Sequence, residues 1–80
     1  MTLSEKLAIY ARASAAQKAF YARYGYGWPA TNEEHQNALT ANTDVRRAQP
    51  RLVSNPRSVS AERMMRLEKL VTRLENLLGG

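Results

Sequence analysis

Eighty residues allow one small domain or less, and a chain of this size is marginally stable unless it is stapled, metallated or packed against a partner. There is no cysteine, which excludes disulfides, thiolate metal sites and a cysteine nucleophile. The net charge of +5 falls wholly in residues 45–80, where eight basic side chains face three glutamates, whereas residues 1–44 balance at four and four.

Such asymmetry points to a polyanion or an acidic protein surface as partner. No apolar run approaches the length of a membrane span, and the N-terminal residues have no basic-then-apolar signal pattern. The expected location is cytoplasmic, or a virion if the chain is phage-encoded, with no membrane partner.

Thr2-Leu3-Ser4-Glu5 reads as a capping box that opens a helix over about 3–24, uninterrupted by Gly or Pro and rich in alanine. One face gathers Leu3, Ile9, Tyr10, Ala13, Phe20, Tyr21 and Tyr24, with Leu7 at its margin, and is expected to be core. A second strip consists of Ala8, Ala11, Ala15, Ala19 and Ala22, expected to face solvent unless another helix approaches closely. Gly25 is expected to end the helix with a left-handed turn.

Five aromatic residues lie between Phe20 and Trp28. Large aromatics usually cap a small core, but Tyr26 and Trp28 are also candidates for a protein interface. Thr31 to Glu34 forms a second capping-box pattern, opening a helix over about 32–41. The helical period of Ala38, Ala41, Val45 and Ala48 carries on towards 49, while Asn42-Thr43-Asp44 argues for a break. This weakly apolar element is expected on the outside. Pro50 should end it, and residues 50–58, with two prolines, read as an irregular extended connector.

The last helix, about 60–78, is the most strongly patterned stretch. With Met64 as heptad position a, Leu67 is d, Val71 a, Leu74 d and Leu78 a, while Leu70 and Leu77 at g widen the stripe. Glu62, Arg66, Lys69, Arg73 and Asn76 occupy the opposite face. Fewer than three heptads are too few for a secure two-stranded coiled coil, so this coiled-coil-like helix belongs in a bundle. The fold expected is all-α: a small helical hairpin or bundle, with the first and last helices antiparallel and the middle element wrapped across them.

Catalytic chemistry finds no support. Glu33, Glu34 and His35 are adjacent and point in different directions on a helix, so they make neither a metal site nor a general acid/base pair. Ser14 and Ser54 have no histidine at a useful spacing, and the G-x-G of Gly25 and Gly27 follows no strand. No enzyme, cofactor or metal is expected.

The function expected is a non-enzymatic helical interaction or assembly protein, an oligomer or part of a larger complex. Its expected protein interface comprises Leu67, Leu70, Val71, Leu74, Leu77, Leu78, Tyr26 and Trp28. Small, alanine-rich, cysteine-free chains ending in such a helix are in the style of phage virion components and phage-encoded inhibitors. The alternative is a small basic nucleic-acid-binding protein using Arg46, Arg47, Arg51 and Arg57, although no helix-turn-helix, zinc-finger or basic-zipper pattern is present.

Overall fold

Thr2 starts the first helix as its spacing requires. Its hydroxyl accepts the Glu5 amide at 3.2 Å, and the Glu5 carboxylate accepts the Thr2 amide at 3.4 Å. This opens α1, Leu3–Tyr24, in a computed structural model that describes residues 1–25 and 33–79. Gly25 closes α1 at φ +70°, donating its amide to the Tyr21 carbonyl at 2.9 Å. Its ψ of 178° lies outside the left-handed helical region, so the turn is glycine-dependent but is not the one expected.

The second helix, α2, spans Glu33–Ser54, taking the longer of the two alternatives at Asn42-Thr43-Asp44 and correcting the expected end at Pro50. Asn42-Thr43-Asp44 does not break it. The Thr43 hydroxyl bonds back to the Leu39 carbonyl at 2.9 Å instead of capping a new turn. Pro50 does not end it either, so an extended connector over 50–58 is not found.

The reason lies in tertiary burial. Ala38, Ala41, Val45 and Leu52 are all buried on one face of α2, and Leu52 anchors the turn beyond the proline. Packing of this kind overrides local propensity. The helix is therefore core, not an outer wrap. Only Asn55–Ser60 remain as connector, and they include a 3-10 turn, Pro56–Ser58, begun by the Asn55 side chain accepting the Arg57 amide at 3.2 Å.

Ser60 caps the third helix, α3, Ala61–Gly79, by accepting the Arg63 amide at 3.2 Å. Among the described residues the fold is an all-α three-helix bundle without strands. Its extents are 39 × 20 × 16 Å, so helices of about 33 Å run lengthwise.

The direction of α3 is a further correction. Lys6 reaches the Val59 carbonyl, Arg12 meets Glu68 at 3.8 Å and Glu75 at 2.5 Å, and Arg23 donates to the Leu78 carbonyl. Successive positions of α1 thus meet successive positions of α3, and the two helices are parallel. Because α2 is as long as α1, it carries the chain back to the starting end, and α3 must run the same way as α1. The hydrogen bond to Glu75 raises the Arg12 guanidinium above its ordinary range; desolvation opposes it, and the charges of Glu75 and Glu68 add to the rise.

The core joins Ile9, Ala13, Ala16 and Phe20 of α1 to the buried face of α2 and to Met64, Leu67, Val71 and Leu74 of α3. Each large side chain buried here contributes about 1.5–3 kcal/mol. Phe20 and Tyr21 meet edge to face, with ring centroids 6.0 Å apart. Among the described residues Gln17 and Asn42 are the buried polar ones, and Gln17 donates its amide to the Asn42 carbonyl at 3.4 Å. Ala8, Ala11, Ala15, Ala19 and Ala22 are exposed. No helix is long and apolar enough to cross a membrane among the described residues.

Candidate interaction site

The stripe of α3, expected to be buried in a bundle either within the chain or with another subunit and offered as a protein interface, is buried within the chain. Leu67, Val71 and Leu74 are fully buried, and Leu70, Leu77 and Leu78 are half-buried against the same core. They are bundle residues first, and of these Leu67 and Leu70 also border the open cleft described below. Tyr26 and Trp28, together with the Thr31 cap, lie outside the described residues.

The four arginines expected to act together are separated. The Arg46 guanidinium sits over the Tyr21 ring, 5.4 Å from its centroid, in a cation–π contact. Arg57 is exposed in the 3-10 turn, where its backbone carbonyl accepts from Lys6 at 3.4 Å. Arg47 and Arg51 remain, one helical turn apart on α2, and both line an open cleft of about 350 Å³ between α2 and α3.

Two residues that the sequence reading did not select, Arg63 and Arg66, line the same cleft from α3. Because α2 and α3 form an antiparallel hairpin, Arg51 and Arg63 both lie near the turn, while Arg47 and Arg66 are further out. The floor between these walls is aliphatic: Ala48, Leu52, Val59, Met64, Leu67 and Leu70. A smaller cleft shares Arg51, Val59 and Arg63, and continues to Ser54, Asn55 and Ser58 at the turn.

The charges at this cleft are poorly compensated. Arg66 pairs with Glu62 at 2.9 Å, but both side chains are about three-quarters exposed, so the pair is weak and exchangeable. Asp44 is the acidic residue in the lining. Among the described residues, the guanidiniums of Arg47, Arg51 and Arg63 have no carboxylate partner. A guanidinium presents a planar fork of donors that suits carboxylates and phosphates. The cleft is thus equipped to recognise an anion beside an apolar surface.

Among the described residues no group of three His, Asp or Glu side chains could hold a metal ion. No family model matches the chain, and no curated protein or solved structure matches it either. A helical hairpin reading would have found Arg63 and Arg66, since it places them opposite Arg51 and Arg47. Taken alone, the polar face of α3 reads as a solvated surface.

Proposed function

We propose that this chain is a non-catalytic interaction protein that engages a partner protein through the α2–α3 cleft. The observation that carries this reading is the set of three uncompensated guanidiniums, Arg47, Arg51 and Arg63, around an aliphatic floor. Arginine is neither a base nor a nucleophile at neutral pH, so the chemistry offered is recognition. A partner lying in the cleft would take up charge that the fold leaves unpaired and cover the half-buried Ala48 and Leu70.

Nucleic-acid binding is the second reading, favoured by the same guanidiniums because phosphate takes the same fork. The dispersal of Arg46 and Arg57 away from the cleft weakens it. So does the cleft lining, which among the described residues contains no aromatic side chain on which a base would stack.

Site-specific photocross-linking in the expressing cell tests the proposal. A photoreactive side chain replaces Ser58 at the open end of the cleft, and another replaces Ala15 on the exposed strip of α1 as a comparison. Discrete protein adducts from position 58, lost when Arg47, Arg51 and Arg63 are all changed to Gln, are the expected result. Nuclease-sensitive adducts would support the second reading, and no adduct from either position would remove the proposal.

A further inference from the structure

We infer that the occupant of the cleft is an acidic amphipathic helix, an inference that rests on the protein-interaction reading above. Charge complementarity is the first ground. Arg47, Arg51 and Arg63 have no acidic partner among the described residues, and Arg66 is held only by the exposed Glu62.

Spacing is the second. Arg47 and Arg51 are four residues apart on α2, and Arg63 and Arg66 three apart on α3, so each wall repeats its charge once per helical turn. In the antiparallel hairpin Arg51 and Arg63 lie towards the turn, where they line both clefts, and Arg47 and Arg66 line the larger cleft further out. A bound helix with carboxylates at i and i+4 on each flank repeats at the same pitch of about 5.4 Å.

The floor supplies the third ground. Among the described residues it is aliphatic, with half-buried Ala48 and Leu70 above the buried Leu52, Val59, Met64 and Leu67, which suits the leucine face of an amphipathic helix better than a nucleobase. From Arg63 to Leu70 the cleft follows α3 for about 10 Å, and the smaller cleft extends it to the turn. That length takes about two turns of a partner helix, with the smaller cleft leaving room for its end.

Fluorescence anisotropy with a labelled synthetic helix of about 14 residues tests this. The probe carries leucines at i, i+3, i+4 and i+7 and glutamates along both flanks. Its comparisons are the same peptide with glutamine for glutamate, a polyglutamate of equal length, and single-stranded and duplex DNA of similar length.

The expected result is micromolar binding of the glutamate–leucine peptide that weakens between about 50 and about 300 mM salt. The glutamine peptide and the polyglutamate should each bind at least about tenfold more weakly. The protein variant Arg51→Gln/Arg63→Gln should lose about tenfold in affinity while its circular dichroism and melting temperature stay unchanged.

Equal binding of the glutamate and glutamine peptides, undiminished binding by the variant, no binding of the probe, or tighter binding of DNA would each overturn the inference. If the probe fails while protein adducts still form at position 58, the acidic helix is wrong and the interaction reading stands. If neither is seen, both fall.

Discussion

At Asn42 the backbone and the side chain meet different fates. The carbonyl accepts from Gln17, whereas Oδ1 is buried without a hydrogen-bond partner among the described residues, in a residue only 4% exposed. An unsatisfied buried acceptor costs about 1–3 kcal/mol, and asparagine is a poorer helix former than alanine by about 0.6 kcal/mol. Against these stands the small cavity left by truncation. Asn42→Ala is therefore expected to keep or raise stability, by up to about 1 kcal/mol, unlike an ordinary truncation in a core. Thermal unfolding followed by circular dichroism checks this. A melting temperature lowered by several degrees would show that the amide is bonded and structural.

At the scale of whole helices, legibility followed locality. Both ends of α1 were readable because the Thr2–Glu5 box and Gly25 act within one turn. The stripe of α3 was readable because Met64, Leu67, Val71 and Leu74 repeat strictly. The length of α2 was not, since what carries it past Asn42 and Pro50 is burial of Val45 and Leu52 against helices distant in sequence. From that one boundary came the errors in topology and in the site. A short middle element implied antiparallel α1 and α3, and it hid the hairpin that sets Arg63 and Arg66 opposite Arg51 and Arg47.

The same boundary yields a test. Pro50 sits inside α2, where it has no amide to donate to the Arg46 carbonyl and its ring crowds that carbonyl. Ser54 offsets little of this by donating its hydroxyl to the Pro50 carbonyl at 2.8 Å. Pro50→Ala is expected to stabilise the fold by about 1–2 kcal/mol, after allowing for the greater freedom of the unfolded chain. Urea unfolding would show this as a higher midpoint at constant slope. No change would mean that α2 ends before the proline in solution.

Over the whole molecule, the apolar and the charged residues serve different ends. The apolar faces of the three helices are spent on one another, and among the described residues the large exposed apolar side chains, Met1, Leu7, Val53 and Met65, are scattered. The positive charge is not spent: within a net charge of +5, Arg47, Arg51 and Arg63 crowd one cleft without acidic partners. Like charges held together by folding repel, so these side chains should cost stability in the free protein, most of all at low ionic strength. Groups kept for binding often act in this way. Changing Arg51 and Arg63 to Gln is expected to leave the melting temperature at about 150 mM salt unchanged and to raise it by a few degrees at about 10 mM salt. The wild-type protein should likewise gain a few degrees as salt rises from about 10 to about 150 mM, and the variant less. Differential scanning calorimetry at the two salt concentrations measures both effects. A variant less stable than wild type at low salt would show that these arginines hold the hairpin together, and the cleft would then lose its claim to be a site kept open for a partner.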